Sequence, residues 1–367
     1  MFERRLYLHI DWLMIAAVLV LAGTGLAMIY SASGAAAGGS PRLFVTQLNA
    51  LALGLLVLLA CLLIDYRTLA ETSHLLYLLL LLVLLYVLVF GAARGGARRW
   101  IPLGVVNLQP SEFAKIVIAL VLARLFEEPL RGTPSTQELA TAGGLVLVPM
   151  ALIARQPDLG TAVTLSVVAF AMAYLAGMRL RLRLIGIMVL VALVAAPVVW
   201  RYGLRDYQRS RIVTFLDPER DPRGAGYQQI QARITVGSGG ALGKGYTNGT
   251  QGQLRFLPVA TTDFIFSALA EELGFVGVAA VLGLYLFVIF RAIQTARVAR
   301  DRLGALLVVG VLSGFAFQVV YNVTMSAGMA PVKGLTLPLM SYGGSALIAT
   351  MAGFGLIINV RMRRFTN

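Results

Sequence analysis

Asp263 is the residue of this chain best placed to do chemistry. It lies in Leu257-Pro-Val-Ala-Thr-Thr-Asp-Phe-Ile-Phe, where a long polar segment gives way to an apolar run. An ionisable group at such an entry is costly to maintain and marks a functional position. It can serve as a general base, hold a cation, or share with Thr262 the capping of the next helix. Glu271 and Glu272 follow on that helix. Glu271 is eight positions on, which is about 12 Å at about 1.5 Å per residue. Paired glycosidase carboxylates stand only about 5–9.5 Å apart, so a two-carboxylate mechanism is not expected here. Both glutamates are expected to pair with arginines inside a bundle.

Charged clusters elsewhere could serve the same chemistry. Gln109-Pro-Ser-Glu-Phe-Ala-Lys and Arg155-Gln-Pro-Asp-Leu-Gly-Thr bring Glu112 near Lys115 and Arg155 near Asp158, each beside a helix-breaking proline. Mutual ion pairs would make such charges tolerable among apolar helices. Gly237-Ser-Gly-Gly-Ala-Leu-Gly-Lys-Gly suggests a P-loop around Lys244, but Ser238 stands where its first glycine belongs and Gly245 follows the lysine. The stretch is either a flexible loop or a backbone cradle for phosphate with nearby Arg209 and Arg211. Pro331-Val-Lys-Gly-Leu-Thr-Leu-Pro-Leu-Met-Ser-Tyr-Gly-Gly-Ser, with Lys333 and Ser341, is irregular and polar at its ends. At membrane depth such backbone lines a cavity.

The elements that must position these residues are membrane helices. Of 367 residues, 58% are hydrophobic and 13% charged, too little charge to cover a water-facing surface. Apolar runs of about 20 residues, enough for a core of about 30 Å, recur along the whole chain. About ten candidate spans emerge, at 12–31, 44–63, 73–91, 112–126, 140–154, 161–177, 184–200, 264–290, 304–324 and 345–360. The expected fold is an all-α polytopic membrane protein forming one integral domain over 1–367. A large extracytoplasmic loop, about 201–262, is expected between the seventh and eighth spans. The apolar stretch after Arg4 and Arg5 is too long for a signal peptide and reads as an uncleaved first span.

Arginine orients the chain. Arg4, Arg5, Arg67, Arg124, Arg131, Arg179, Arg181, Arg183, Arg291, Arg297, Arg300, Arg302, Arg361, Arg363 and Arg364 fall on the side of the two termini. The positive-inside rule therefore predicts cytoplasmic termini. The polar segments 92–115, 155–160, 201–262 and 325–345 then all face outward. The net charge of +14 fits orientation and anionic membrane lipid, and no nucleic-acid partner is expected. Cys61 is the single cysteine, so no intrachain disulfide forms, and His9 and His74, the two histidines, lie apart near helix ends, which argues against a His-based metal site. No inverted repeat of the transporter kind is visible.

Taken in order, Gln109-Pro-Ser-Glu-Phe-Ala-Lys, Arg155-Gln-Pro-Asp-Leu-Gly-Thr-Ala, Phe215-Leu-Asp-Pro, Gly224-Ala-Gly-Tyr-Gln, Gly237-Ser-Gly-Gly, Thr262-Asp-Phe-Ile-Phe with Ala270-Glu-Glu-Leu-Gly, and Leu337-Pro-Leu-Met-Ser-Tyr-Gly-Gly-Ser resemble the SEDS (RodA/FtsW) family. The resemblance spans about 100 to 350. It implies a peptidoglycan glycosyltransferase of the bacterial cytoplasmic membrane that uses lipid II, the undecaprenyl-pyrophosphate disaccharide-pentapeptide. It further implies that Asp263 is the essential aspartate, either a base or the ligand of a divalent cation (Mg or Mn), with no organic cofactor. Arg209, Arg211 and Lys115 are candidates to neutralise a pyrophosphate leaving group. Glu112, Asp158, Lys244, Lys333 and Ser341 complete the expected substrate-binding set. One departure stands out. Family members usually read Leu-Pro-Glu-x-His-Thr-Asp, and this chain has Val259 and Thr261 in place of the Glu and His.

Gly249-Thr-Gln and Ala270-Glu-Glu-Leu-Gly look like RodA, the elongation enzyme, whereas Val332-Lys-Gly-Leu-Thr-Leu-Pro looks closer to the division enzyme FtsW. A lipid II flippase is the alternative, and a scaffolding role an addition. The resemblance also implies a class B penicillin-binding protein as transpeptidase partner. The outward loops show little regular apolar surface, so docking is expected within the bilayer. Gly310 and Gly314, four apart on the ninth span, allow close helix approach to that partner or to a neighbouring span.

Overall fold

The computed structural model describes residues 9–34, 41–94, 97–102, 104, 107–127, 133–178, 209, 213–220, 226–254 and 256–364. Within them the chain is a helical bundle. The transmembrane-length helices are α1 (Trp12–Ala32), α2 (Arg42–Leu63), α4 (Ser73–Phe90), α6 (Thr136–Arg155), α10 (Ile265–Arg297), α11 (Arg302–Ser326) and α12 (Gly344–Met362). Three shorter helices accompany them: α3 (Tyr66–Glu71), α5 (Pro110–Phe126) and α7 (Leu159–Leu175). Each expected span except 184–200 falls on one of these helices; that span lies outside the described residues. Helix α5 begins two residues before the expected span because Pro110 occupies its first turn, where the missing N–H costs nothing.

Burial separates the inner helices from those that face lipid. In α12, Met351 to Val360 are buried without interruption, as expected of a helix that is apolar all round and central. It packs closely on α2 because Gly54 meets the Met351 side chain and Gly355 meets Leu58 and Cys61. By contrast α4 exposes Leu75, Leu78, Leu79, Leu82 and Leu85, side chains that suit contact with acyl chains.

The two ends of the bundle differ in chemistry. At one end Asp11 binds Arg291 at 2.6 Å and Arg361 at 3.2 Å, Asp301 binds Arg67 at 2.6 Å, and Asp65 binds Arg363 at 3.0 Å. Asn359 there donates to the carbonyls of Cys61, Leu62 and Ile64, which satisfies the C-terminus of α2. The opposite end gathers described parts of all four segments expected to face outward. A small antiparallel sheet, β1 (Ala92–Arg94), β2 (Ala97–Pro102) and β3 (Asn107–Leu108), lies there. So do α8 (Tyr227–Ser238) and the short α9 (Thr250–Gln253) of the long loop.

Helix α10 is broken. Gly274 has φ 64° and ψ −166°, a backbone open to glycine, so the helix divides into a short piece before it and a long piece after it. The glycine-rich stretch of the long loop splints that break. Lys244 and Gly245 donate their amides to the carbonyls of Glu271 (2.9 Å) and Glu272 (3.0 Å), while Gly240 and Ala241 accept from the amides of Phe275 (2.9 Å) and Val276 (3.1 Å). Close approach explains the glycines. A Cβ on Gly239 would lie 1.9 Å from the Ala270 oxygen, and one on Gly243 would lie 2.2 Å from the Glu272 oxygen.

Candidate functional site

Asp263 sits half-buried in a turn directly before α10. The cap position belongs to Phe264, so the capping role considered for Thr262 or Asp263 is not taken up at that position. The backbone of Asp263 is tethered. Asn322 of α11, fully buried, donates Nδ2 to the Asp263 carbonyl at 2.9 Å and to the Leu335 carbonyl at 2.7 Å. One amide thus ties the acidic turn to the 331–343 segment. Ser341 reinforces the tie, donating to the Thr262 carbonyl at 2.6 Å and accepting from the Leu337 amide at 2.8 Å. Tyr342 adds its amide to the Thr261 carbonyl at 2.8 Å. A Cβ on Gly334, whose φ is +66°, would stand 3.6 Å from Asp263 Oδ2, so this exposed glycine borders the carboxylate.

Other expected site residues gather around the same segment. A Cβ on Gly160 would lie 2.7 Å from the Leu335 side chain and 3.4 Å from the Lys333 oxygen, which sets the start of α7 against it. Asp158 caps that helix. Its carboxylate accepts from Thr161 N (3.2 Å), Thr161 Oγ1 (3.0 Å), Ser111 Oγ (3.1 Å) and Gln109 Nε2 (3.0 Å). The expected Arg155–Asp158 pair is not made: Arg155 is exposed while Asp158 is buried among these neutral donors. Glu112 and Lys115 do pair, at 2.6 Å, and Lys115 also reaches Gln318 Oε1 at 3.0 Å. Gln318 and Asn322 are one turn of α11 apart, so Lys115 anchors about 6 Å from the Asp263 tether along that helix. Lys333 lies with its ammonium 6.0 Å from the Tyr321 ring.

Lys244 is placed differently. It binds Glu271 at 2.6 Å and Thr250 at 2.9 Å, and the amide of Gln251 completes the Glu271 shell. Glu272 accepts from Ser31 Oγ and from the Thr247 amide at 3.1 Å. The two glutamates therefore hold the long loop and α1, not arginines as expected. The amides of Gly243, Lys244 and Gly245 are all committed to backbone carbonyls, so these three are not offered to a phosphate, and the run is not a loose loop. Arg209 is half-buried, and Arg211 lies outside the described residues. Among the described residues no three His, Cys, Asp or Glu side chains converge to form a metal cage.

Reading the residues singly missed Asn322, Gln318, Gln109 and Gly334. Gln318 and Asn322 gave a usable signal, since two amides one turn apart in an apolar span need partners. Gly310 and Gly314 face inward. A Cβ on Gly310 would meet Met172 at 2.6 Å and Ala119 at 2.8 Å, and one on Gly314 would meet Val168 at 3.2 Å. These glycines pack α11 against α5 and α7 and are not a docking face. The long loop also shows more apolar surface than expected, exposing Leu216, Leu242, Leu254 and Phe256.

A family model described as "Cell cycle protein" (FtsW, RodA, SpoVE) matches residues 11–365. The chain belongs to the FtsW/RodA/SpoVE family. It is 40% identical over 356 residues to the peptidoglycan glycosyltransferase MrdB of Escherichia coli K12, covering 97% of this chain and 94% of that one. It is 34% identical to the peptidoglycan glycosyltransferase RodA of Treponema pallidum, covering 96% of this chain and 98% of that one. A chain from a peptidoglycan synthase complex that coordinates polymerization and crosslinking superposes with a TM-score of 0.84 at 36% identity, covering 98% and 99%. The rod shape determining protein RodA of Thermus thermophilus superposes at 0.72 and 32% identity, covering 98% of each chain. Val259 has φ +54°, strained for a β-branched residue, and its carbonyl accepts from the Thr262 amide at 3.1 Å and the Phe264 amide at 3.4 Å. The turn that carries Asp263 is thus shaped by the backbone of Val259.

Proposed function

We propose that this multi-pass membrane protein is a peptidoglycan glycosyltransferase that polymerises lipid II into β-1,4-linked glycan strands at the outer face of the bacterial cytoplasmic membrane. The observation that carries this reading is the fixed Asp263 turn, bordered by Gly334 and braced by Asn322 and Ser341. The 4-hydroxyl of one GlcNAc attacks C1 of a MurNAc, the α-linked pyrophosphate departs, and the new bond forms with inversion. Asp263 accepts the hydroxyl proton; a single base suffices because the pyrophosphate is already a good leaving group. Lys115, Lys333 and Arg209 are the cations on hand to offset charge on that leaving group.

A single carboxylate also fits magnesium or manganese held jointly with substrate phosphates, as such ions are commonly bound through one or two carboxylates and water. Asp263 would be the protein ligand, and the ion would supply charge neutralisation at the pyrophosphate. Both termini are assigned to the cytoplasm, on the arginine-rich end of the bundle. A class B penicillin-binding protein is the assigned transpeptidase partner, in line with the likeness to a synthase complex that couples polymerization to crosslinking. The 40% identity to MrdB favours the elongation role.

The test is polymerisation of lipid II by the purified protein, alone and with its transpeptidase. Glycan strands should form and should be lost when the protein is omitted; no polymer under either condition rejects the activity. Orientation is tested separately. A cysteine placed between 226 and 254 in a Cys61→Ser background should react with an impermeant thiol reagent on intact cells, and one after Arg361 should not.

A further inference from the structure

We propose that the end of the bundle opposite Asp263 carries a binding site for the phosphate headgroup of an anionic phospholipid. A cavity of about 280 Å³ opens there between the start of α1 and the ends of α10 and α12. His9, Ile10, Asp11, Trp12, Leu13, Arg291, Arg361 and Arg364 line it. Two guanidinium groups, of Arg291 and Arg361, share one carboxylate, and Arg364 lines the same cavity. Asp11 takes both oxygens into its bonds with Arg291 (3.1 and 2.6 Å), and its Oδ2 also meets Arg361 at 3.2 Å. The remaining bonds of this pair go to neutral groups, Gln294 Oε1 and Thr295 Oγ1, each at 3.4 Å from its arginine. Arg291 and Arg361 together therefore keep one positive charge beyond that of Asp11 at the membrane boundary. Guanidinium forks match the oxygens of a phosphate, and basic pockets between membrane helices are suited to anionic headgroups.

The apolar part of the lining says which anion. Trp12 and Leu13 are 63% and 61% exposed on the first turn of α1, directly beside the guanidinium groups. Tryptophan at a helix start belongs at the headgroup level of a bilayer. A free phosphate would use the arginines alone; a phospholipid would also use this apolar rim for its glycerol and first methylenes. The site is independent of the polymerase reading, since it lies at the other end of the helices from Asp263.

Delipidated protein in neutral detergent, titrated with phosphatidylglycerol or phosphatidylcholine and observed by native mass spectrometry, tests the assignment. Phosphatidylglycerol should be retained several-fold better, and Arg364→Gln and Arg361→Gln should each weaken it by about fivefold. A photoactivatable phosphatidylglycerol should label wild-type protein within residues 9–13, a readout that stands even if a variant does not fold. Equal retention of the two lipids, unchanged retention in both folded variants, or labelling elsewhere overturns the site. Displacement of phosphatidylglycerol by an equal concentration of inorganic phosphate overturns the lipid and leaves a free-anion site.

Discussion

Asn322 and Asp263 are joined by a hydrogen bond in which the buried amide of one holds the main-chain carbonyl of the other at 2.9 Å. The contact fixes the backbone of the turn that carries the Asp263 carboxylate. Orientation of this kind is what makes a base effective, because a displacement of about 1 Å can cost about 10²-fold in rate.

Asn322→Leu should therefore impair polymerisation more than its modest change in shape suggests. It leaves the carbonyls of Asp263 and Leu335 without their donor, at about 1–3 kcal/mol each if both stay buried. The expected result is a lower melting temperature in detergent with a fall in turnover, and little change in the apparent affinity for lipid II. A variant with wild-type turnover would detach Asn322 from the site.

Lys244 and Glu271 should behave as a structural couple. Glu271 has a side chain only 1% exposed, so Lys244→Met leaves a buried carboxylate with neutral donors alone. Breaking a buried pair costs about 3–5 kcal/mol, whereas replacing both partners is nearly neutral. Lys244→Met should lose stability and activity together, and adding Glu271→Gln should restore much of both. A double variant that is stable yet inactive would return Lys244 to the substrate.

Asp301 gives a pH dependence at the other end. Burial pushes its carboxyl up, but the Gly304 amide, the Tyr66 hydroxyl and Arg67 outweigh burial and hold it below the ordinary aspartate range. A depressed pKa contributes stability that is present above the unfolded value of about 3.9 and is lost as pH falls through the folded value. The melting-temperature gap between wild type and Asp301→Asn should be full near neutrality and shrink below about pH 4. A gap that widens on acidification would contradict the assignment.

Much of the helical frame was legible because long apolar runs in lipid have few structural alternatives. The Thr262-Asp263 turn and the Glu112–Lys115 pair were legible for the same reason, as charges that need an explanation. The glycine run at 237–245 was not. A phosphate cradle and a backbone splint both require glycine, and only the partner, the break at Gly274, distinguishes them. Arg155 and Asp158 share a short sequence window, but the turn between α6 and α7 carries Asp158 inward to Ser111 and Gln109 while Arg155 stays outside. Sequence spacing does not report that rotation. Gly310 and Gly314 were visible as a close-packing face, but their partners on α5 and α7 are set by the bundle as a whole.

The central claim is that the Asp263 carboxylate performs the polymerisation chemistry. The direct measurement compares glycan strand formation from lipid II by wild-type protein and by Asp263→Asn, with expression and melting temperature matched. The substitution keeps the shape of the side chain and its capacity to accept a hydrogen bond but removes the charge. General-base loss predicts a fall of about 10²- to 10⁴-fold in polymerisation with the fold intact. Substantial polymerisation by Asp263→Asn would contradict the account and leave Asp263 as part of the turn alone.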